Sequence, residues 1–488
     1  MTTSSVHIIE KVRVKLTTPS HTEAQELKNN FSAFFADVVL PYIESYLDEL
    51  FKGQHRKVIR MNQLKLSLNL ETFFQNKEEL LSQVKKLLDE KFKTVNEESK
   101  FPTDSKSTTI ESGHDTVLNL DNETHYFQAI CFFLERGVCP WWLSNEKLSQ
   151  LLEEKNLRTF FTTHPNRIEV LFAEANASKV VRQRLIAQFH LPFLIWLLQQ
   201  VYPELKKLSK KQLVFIETEV RHFSGKEYSL FFELLLALAS QKELASTTQV
   251  DQLLELVGIT IKKPSSEQQK LDSQREWVNI ISHFVGQKVQ HEQMKATLDK
   301  AIDQAFDQVE EDEAVEAPEQ AEIPEEGLYV DNAGLVLVHP FLKHFFTNIG
   351  LLKEGKELAN KELAVQLLHY IATGKEEDWE HTMLFEKFLC NMPFDVPLNK
   401  KSLITNAHKK EVKALLQAVL ENWKALGNSS PELLQHEFLT RPGKLFEDNV
   451  SPRLVVERKT QDILMDSISW NISIVKFPWS SQILYTTW

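Results

Sequence analysis

Residues 310–326 (EEDEAVEAPEQAEIPEE) contain nine acidic side chains and no basic one. Neighbouring carboxylates repel one another, and the segment has too few apolar residues to bury a face, so it predicts a flexible linker. Folded cores are therefore expected on each side of it. This is the firmest domain boundary in the sequence, and it places a predicted acidic linker at 308–327.

Glycine is scarce, with 13 residues in 488, and long stretches are rich in Leu, Lys, Glu and Gln. Such straight-chain residues lose little rotamer freedom in a helix and favour it. The apolar fraction of 42%, with 31 Phe and 9 Trp, is enough to build cores. We therefore expect an α+β protein that is predominantly α-helical. The formal net charge of −12 argues against a nucleic-acid partner, because phosphate binding needs a clustered basic surface.

The N-terminal residues 1–95 predict a small α/β unit of strand, helix and strand. Residues 12–16 alternate apolar and charged side chains, the period-2 pattern of a half-buried strand. A capping-box pattern at 20–23 opens a helix that Pro41 should kink or divide. A second alternating strand follows at 64–70, and another helix at 77–95.

Residues 96–122 are polar, rich in Ser and Thr and aperiodic, so they predict a polar linker. Residues 123–307 then predict a helical middle domain, in which apolar residues recur at helical spacing. A short helix in this region should stop at Gly137. Four prolines should divide the rest into several helices: Pro165, Pro192, Pro203 and Pro264.

The C-terminal residues 328–488 predict a mixed α+β domain. An apolar helical stripe runs from Val412 to Trp423. By contrast, residues 453–458, 470–477 and 481–488 are β-branched and aromatic, and predict strands.

The segment DNAGLVLVHP at 331–340 predicts a turn and then a short buried strand over 335–338. Gly334 has two interpretations. The turn alone explains it, which we favour, although a ligand loop would also use a glycine for close backbone approach.

No motif for nucleotide binding, hydrolysis or zinc binding occurs in the sequence. The Gly374-Lys375 pair lacks the upstream glycine of a phosphate-binding loop, and neither GxSxG nor HExxH is present. We therefore assign no catalytic, cofactor-binding or metal-ligating residue, and expect no enzyme activity and no cofactor. The most apolar stretches, 191–201 and 229–239, are too short to span a membrane.

Isolated polar and sulfur-containing residues are interpreted as structural. His339 and His344 are expected at a helix start or on the surface. The acidic pairs Glu377–Asp378 and Asp462–Asp466 are typical of solvated helices. The three cysteines, Cys131, Cys139 and Cys390, lack metal-ligand spacing, and a sparse, odd count fits a reducing compartment.

Five tryptophans have two interpretations. They lie at a predicted corner and among the predicted C-terminal strands, where they would complete cores. Tryptophan is also enriched among interface anchors, so we assign the same residues as candidate partner-docking positions. They are Trp141, Trp142, Trp470, Trp479 and Trp488.

Several short motifs occur in a fixed order near the C-terminus. They are LYVDNAGLVLVHPFLKHFF, LLHYIATG, FEKFLCNMP, HEFLTRPG and a final WNISIVKFPWSSQILYTTW, with FLERG..PWW further upstream. This order resembles the tape-measure-type proteins of extracellular contractile injection systems, which are phage-tail-like particles. The likeness is densest over 328–488. The family pattern often has glycine after the LC pair, where this chain has Asn391.

The resemblance implies a structural or assembly role in setting or templating the length of the tube or sheath, with no catalytic or cofactor residues. The implied partners are tube, baseplate or other particle proteins. Synthesis in the cytoplasm is expected, with incorporation into a released particle left open.

A fully extended ruler conflicts with the composition. One continuous helix of 488 residues would reach about 730 Å, but 17 prolines and mixed strands interrupt it. A compact assembly factor or chaperone for the tube, the baseplate or a separate ruler is therefore the alternative. A cytosolic helical enzyme or a toxin-like cargo is the alternative from a different class.

Overall fold

The computed structural model describes most of the chain with gaps. The described residues are 8–9, 12, 33–51, 57–61, 64, 66, 77–98, 108–112, 115–201, 206, 208–220, 230–232, 234–235, 247–262, 267–285, 291–304, 323, 327–353, 356–448 and 451–488. Two compact units are present. The first comprises residues 1–129 and 140–144, and the second comprises 130–139 and 145–488.

The first unit contains two helices and a small sheet. Helix α1, Leu40–Leu50, follows directly on a π-helical segment, Phe35–Val39, and Pro41 is its second residue. The chain is helical on both sides of Pro41, so the helix is not divided there, and a kink at this proline stays a prediction. Helix α2, Lys77–Glu98, confirms the helix predicted at 77–95.

An apolar stripe on α2 forms part of the core of the first unit. Leu80, Val84, Leu88 and Phe92 recur every four residues and are buried together with Val39 and Ile43. The Tyr46 hydroxyl donates to Asp89 Oδ1 over 2.7 Å at the edge of this contact.

A three-stranded antiparallel sheet of order β1–β3–β2 completes the described part of this unit. Its strands are β1 Lys57–Met61, β2 Thr108–Ser112 and β3 Asp115–Asp121. The linker predicted at 96–122 was therefore wrong over 108–121. Ser/Thr-rich composition suggested a loop, but strand pairing is decided by partners elsewhere in the chain.

The N-terminal strand and capping box predicted at 12–16 and 20–23 lie outside the described residues, apart from Val12, which has no regular structure. The strand predicted at 64–70 is described only at Leu64 and Leu66. Neither residue belongs to a strand, and both pack against the core of this unit.

Helix α3, Asn122–Arg136, contributes residues to both units and ends at Gly137. This residue has φ +72°, and its N–H donates to the Phe133 carbonyl over 2.7 Å. The predicted helix stop is confirmed.

The second unit continues with a run of helices. They are α4 Asn145–Leu152, α5 Glu154–Thr163, α6 Asn166–Ala177, α7 Lys179–Gln188, α8 Leu191–Val201, α9 Lys210–Val220, α10 Thr247–Lys262, α11 Glu267–Val285 and α12 His291–Gln304. Pro165 precedes α6 and Pro192 is the second residue of α8, as expected of helix starts.

The remaining helices of this unit pack on a sheet. The helices are α13 His339–Asn348, α14 Lys361–Thr373, α15 Leu384–Leu389, α16 Asn406–Asn422 and α17 Pro431–Leu434, the last continuing into a π-helical segment, Gln435–Leu439. Short 3₁₀ helices cover Ala333–Val338, Glu380–Thr382, Lys424–Leu426 and Thr460–Ser467.

A five-stranded mixed sheet has the order β4–β7–β8–β10–β9, where only the β8–β10 pair is parallel. Its strands are β4 Leu328–Val330, β7 Gly443–Asp448, β8 Ser451–Val456, β9 Ile474–Lys476 and β10 Ile483–Thr487. A separate pair joins β5 Leu352–Lys353 and β6 Glu357–Leu358. The three predicted C-terminal strands and the 412–423 helix are confirmed, and so is the α+β class.

The strand predicted at 335–338 was wrong, because this segment belongs to the 3₁₀ helix Ala333–Val338. All six of its residues are buried, and a fully buried apolar run has no polar face to reveal its period. Gly334 is required by packing, since a Cβ there would lie 1.8 Å from the Phe438 carbonyl oxygen.

The predicted division into a middle domain and a C-terminal domain differs from the compact units, because residues 145–201 and 328–488 belong to the same unit. The acidic linker predicted at 308–327 lies outside the described residues, except Ile323 and Gly327.

Candidate functional site

The second unit contains a completely buried cluster of three charged side chains. Arg184 Nε donates to Glu380 Oε2 over 3.0 Å, and Lys387 Nζ donates to Glu380 Oε1 over 2.5 Å. All three side chains are 0% exposed. Arg184 comes from α7, Glu380 from a 3₁₀ helix, and Lys387 from α15. The cluster therefore joins helices that the sequence placed in different domains.

Backbone carbonyls accept further hydrogen bonds from the two cations. Arg184 donates to the carbonyls of Leu134 and Asp395, and Lys387 donates to those of Phe394 and Val396. Buried charges are tolerated when their hydrogen bonds are satisfied in this way.

Gly137 adjoins the same cluster. A Cβ at this position would lie 2.4 Å from Glu380 Oε1. The residue thus serves two purposes, since its positive φ ends α3 and its missing side chain leaves room for the carboxylate. This gives a physical reason for the FLERG motif.

Burial lowers the pKa of Lys387, and attraction to Glu380 opposes that shift. The carboxylate is shared by two cations inside the protein, where electrostatic interactions are weakly screened. The arrangement is therefore suited to fixing the relative positions of α7 and α15.

A second buried polar cluster surrounds His369 on α14. Its Nδ1 lies 2.9 Å from Glu386 Oε1, and its Nε2 lies 3.5 Å from Asp378 Oδ2. Asn332 Nδ2 donates to the same Glu386 oxygen over 2.6 Å. Burial lowers the pKa of His369, but hydrogen bonds to Asp378 and Glu386 outweigh it and raise the pKa to about 9. The imidazolium is thus the cation of this cluster at neutral pH.

The pKa values of two carboxyl groups near His369 are shifted in opposite directions. Burial raises the pKa of Asp378, but hydrogen bonds from His369 and Lys375 more than offset it and hold the pKa below its ordinary value. Burial raises the pKa of Asp331 to about 6, although Asn145 Nδ2 donates to both of its oxygens over 2.9 Å. The interpretation of Glu377–Asp378 as a solvated pair was wrong for Asp378.

A serine–histidine pair lies nearby, with Ser149 Oγ 3.1 Å from His381 Nε2. Burial lowers the pKa of His381 to about 4, and its Nδ1 has no hydrogen-bond partner among the described residues. Nucleophilic catalysis by serine needs a third group to orient the histidine through that nitrogen. Within the described part of the chain, the pair therefore has no third member of a catalytic triad.

Arg441 and Asp462 form another buried ion pair. Arg441 Nη2 donates to Asp462 Oδ1 over 2.8 Å, and the two side chains are 0% and 8% exposed. The Trp488 indole N–H donates to the other oxygen of Asp462 over 3.0 Å. The interpretation of Asp462 as a solvated helix residue was therefore wrong, because the sequence could not show that Arg441 lies beside it.

The three C-terminal candidate tryptophans are tied into the second unit by their indole N–H groups. Trp470 donates to the Leu337 carbonyl over 2.9 Å, and Trp479 donates to the Leu389 carbonyl over 2.8 Å. Trp479 is 8% exposed, whereas Trp470 and Trp488 are half-buried. A role in partner docking stays a prediction for these residues. Because their indole N–H groups are already hydrogen-bonded, a partner would contact the exposed parts of the rings.

Trp141 and Trp142 belong to the first unit, whereas the three C-terminal candidates belong to the second. They occupy a turn in which the Leu143 N–H donates to the Pro140 carbonyl. The two rings meet edge to face with centroids 5.9 Å apart, and Arg60 lies 4.3 Å from the centre of the Trp142 ring. The predicted corner is confirmed, and docking through it stays a prediction.

The remaining candidates are placed as structural residues. His339 starts α13, with its Nδ1 2.8 Å from the Val336 carbonyl oxygen, and His344 is exposed on the same helix. Burial raises the pKa of the Cys139 thiol to about 12 and also raises that of Cys390. Neither thiol is therefore a reactive thiolate at neutral pH.

Sequence reasoning missed Arg184, Glu380, Lys387 and Arg441. The one signal available was the Glu386-Lys387 pair inside FEKFL, where two charges interrupt an apolar run. Every residue of the short helix α15 is buried. The close apolar flanks of Glu386 and Lys387 were thus a signal of burial that the sequence analysis did not use. The sequence could not identify the residues with which these two side chains pair.

Within the described ranges, no group of three or more His, Cys, Asp or Glu side chains could hold a metal ion. In the same part of the chain, no helix combines the length and apolar character that crossing a membrane requires.

The chain was compared with known protein families, curated proteins and solved structures. The family model for the contractile injection system tape measure protein matches residues 6–488. Neither a curated protein nor a solved structure matches this chain. The match extends well beyond residues 328–488, where the motifs are densest.

Asn391 stands where the family pattern often has glycine, and its backbone has φ +50°. A left-handed conformation is the reason that glycine suits this position and that asparagine is tolerated there.

The family assignment defines a structural and assembly role in a phage-tail-like contractile system. With essentially its whole length matched, this chain belongs to the contractile injection system tape measure protein family.

Proposed function

We propose that this chain acts in particle assembly as a folded protein, and not as a filament extended along the tube. The observation that carries the proposal is the Arg184–Glu380–Lys387 cluster, in which residues far apart in sequence share completely buried charges. Extending the chain would expose these groups and separate α7 from α15. Because its charges are satisfied only when α7 and α15 are packed together, the cluster is incompatible with a chain that works in an extended form.

The lengths of the helices support the same proposal. Among the described helices, the longest is α2 with 22 residues, which corresponds to about 33 Å. A single-helix ruler of the whole chain would need about 730 Å of unbroken helix. The described helices are instead joined by turns and strands, which suits compact contact surfaces.

A second candidate is a direct ruler, and the description of the matching family as a tape measure favours it. In that case the number of residues in the chain sets the length of the tube. A non-catalytic role is common to both candidates. For both candidates we propose synthesis in the cytoplasm. The proposed partners are tube, baseplate or other particle proteins, and the proposed docking positions are the five candidate tryptophans.

Particle length separates the two candidates. Helix-forming inserts of 21 and 42 residues can be placed between Ala317 and Pro318, and particles can be measured by electron microscopy. A single-helix ruler predicts tubes longer by about 32 and 63 Å, because each helical residue adds about 1.5 Å. A folded assembly factor predicts unchanged length.

A point variant tests the dependence on folding. Glu380→Gln, which disrupts the buried cluster, should reduce the number of particles without changing their length. Glu421→Gln, an exposed change on α16, is the matched control and should leave both unchanged. Tubes that lengthen in proportion to the inserts would refute the proposal.

A further inference from the structure

The second unit contains two blocks of chain that lie far apart in sequence. The first, here called the entry block, comprises residues 130–139 and 145–201, and the second, the exit block, comprises residues 323–488. Residues 202–322 between them are called the intervening segment. Ile323 is included in the exit block because it packs against the hydrophobic core of that block.

The last turn of α7 in the entry block is hydrogen-bonded to the exit block. The Gln188 side chain, which is 1% exposed, donates to the Leu398 carbonyl over 2.6 Å and accepts from the Glu380 N–H over 3.1 Å. One residue earlier, the Ala187 carbonyl accepts from the Lys400 N–H over 2.9 Å. Side-chain and backbone groups of α7 thus both pair across the two blocks, next to the buried charges described above.

The contacts between the blocks extend to α3 and α4. Asn145, the first residue of α4, donates to both carboxylate oxygens of Asp331 over 2.9 Å. Phe133 on α3 meets the His381 ring edge to face, with ring centroids 5.4 Å apart. Val138 packs against the hydrophobic core of the exit block. The two blocks are therefore joined along several helices and not at one point.

Apolar contacts accompany the polar ones. Phe189 of the entry block and Trp379 of the exit block are 4% and 5% exposed, and their ring centroids are 5.5 Å apart. Buried aromatic rings contribute chiefly through the apolar area that they remove from water. Because water would satisfy separated polar groups nearly as well, this apolar burial is needed to hold the blocks together. Buried rings combined with hydrogen bonds are typical of a stable protein interface.

The intervening segment has packing of its own. Its described helices are α9 to α12, of which α10, α11 and α12 pack against one another. Trp277 on α11 is 1% exposed and meets the rings of Phe215 and Phe231, with centroids 5.5 and 5.7 Å away. All three rings belong to this segment, so part of its core is formed by its own residues.

We propose that the contacts between the entry and exit blocks form a noncovalent clasp, which keeps the two blocks joined when the intervening segment is cut or lengthened. The clasp goes beyond the proposed function, since it would operate in an assembly factor and in a ruler alike. In either role, a change in length between the two blocks would be confined to residues 202–322. As one helix, this segment of about 120 residues would reach about 180 Å, against about 730 Å for the whole chain.

The tether between the blocks sets the strength that the clasp must have. A flexible connection gives the joined blocks an effective concentration of order millimolar or below, so cutting it at about 1 µM protein weakens their association by up to about a thousandfold. Buried charges, buried hydrogen bonds and aromatic rings all pair across the clasp. We expect these contacts together to exceed that factor.

A cut chain tests the clasp. The recognition sequence of a site-specific protease is inserted between Ala317 and Pro318 of the full-length chain, which is then cut and run on a size-exclusion column at about 1 µM. The two fragments should co-elute at the volume of the uncut chain and separate only in urea. A second variant carries another site between Pro203 and Glu204. Its first and last fragments should still co-elute, because the clasp does not run through the intervening segment.

Point variants show whether the named contacts hold the fragments together. Gln188→Ala removes both side-chain hydrogen bonds to the exit block and should weaken association of the cut fragments at least about tenfold. Glu380→Gln should weaken it by about a hundredfold or more, because Arg184 loses its carboxylate. The exposed changes Gln200→Ala on α8 and Glu421→Gln on α16 are the matched controls and should associate like the unmodified cut chain.

A measurement on the uncut variants separates weaker association from loss of folding. Uncut Gln188→Ala should keep the far-UV circular dichroism of the unmodified chain, because the tether still holds the two blocks at high effective concentration. Its fragments should then dissociate at a higher protein concentration than those of Gln200→Ala.

Three results would overturn the clasp. One is separation of the singly cut fragments in native buffer. Another is that the first and last fragments separate once the second cut is made, which would mean that the intervening segment joins them. The third is equal association of the Gln188→Ala and Gln200→Ala fragments, which would place the join elsewhere. None of these results bears on particle length, so the proposed function is tested independently.

Discussion

Arg184 and Glu380 are 196 positions apart in sequence, yet Arg184 Nε donates to Glu380 Oε2 over 3.0 Å with both side chains completely buried. Removing two charges from water is costly, so such a pair contributes less to net stability than to fixing which elements meet. Here the elements are α7 and the 3₁₀ helix before α15. The pair therefore fixes the position of α7 relative to this 3₁₀ helix within the second unit.

Glu380→Gln should destabilise the second unit by about 3–5 kcal/mol, because it leaves Arg184 and Lys387 buried without a carboxylate. Urea unfolding followed by tryptophan fluorescence measures the change. Glu421→Gln on the exposed side of α16 should change the free energy of unfolding by less than about 0.5 kcal/mol. Equal unfolding midpoints for the two variants would contradict the structural importance of the cluster.

Gly334→Ala should destabilise the chain by about 1–3 kcal/mol or more, because the new methyl group would lie 1.8 Å from the Phe438 carbonyl oxygen. The backbone of the π-helical segment would have to move. Gly427→Ala is the matched control, since its nearest neighbours are 3.8 Å away, and it should be neutral or slightly stabilising. If both variants unfold at the same denaturant concentration, the close approach does not constrain the fold.

The stability of the second unit should depend on pH through His369. Its folded pKa of about 9 exceeds the ordinary value of 6.5, so the protonated imidazolium contributes its full stabilisation below pH 6.5. That contribution is lost as the pH rises towards 9. The groups facing this ring are Asp378, Glu386 and Asn332.

His369→Gln should therefore be less stable than the unmodified chain at pH 6, by about 3 kcal/mol, and the difference should shrink as pH approaches 9. Unfolding midpoints at half-unit pH steps measure this. The exposed His344→Gln is the control and should track the unmodified chain throughout. A pH-independent difference for His369→Gln would mean that the ring is held in its neutral form.

Asn391 has φ +50°, a left-handed conformation that favours glycine. Asn391→Gly should be neutral or stabilising by up to about 1 kcal/mol, whereas Asn391→Ala should destabilise by about 1 kcal/mol. Thermal unfolding of the two variants against the unmodified chain checks the opposite signs. If alanine is tolerated as well as glycine, backbone conformation is not what selects the residue at this position.

Much of the secondary structure was predictable from local pattern. The apolar stripe of α16 follows from one face being buried, and the β-branched and aromatic composition of β8 and β10 favours strands. Prediction failed where the sequence shows no contrast between an apolar and a polar face. The 3₁₀ helix Ala333–Val338 is buried on every side, and the β2–β3 hairpin lies in a polar stretch.

The sequence by itself determined the α+β class, the helix stop at Gly137 and, through an ordered set of short motifs, the family. These properties depend on local propensity or on the identity of residues along the chain. Only the tertiary structure decided that Arg184, Glu380 and Lys387 meet, and that β8 and β10 pair in parallel with Arg453 beside Tyr485. The reason is that a buried charge is defined by its partners, and strand order and distant helices supply partners that no local pattern specifies.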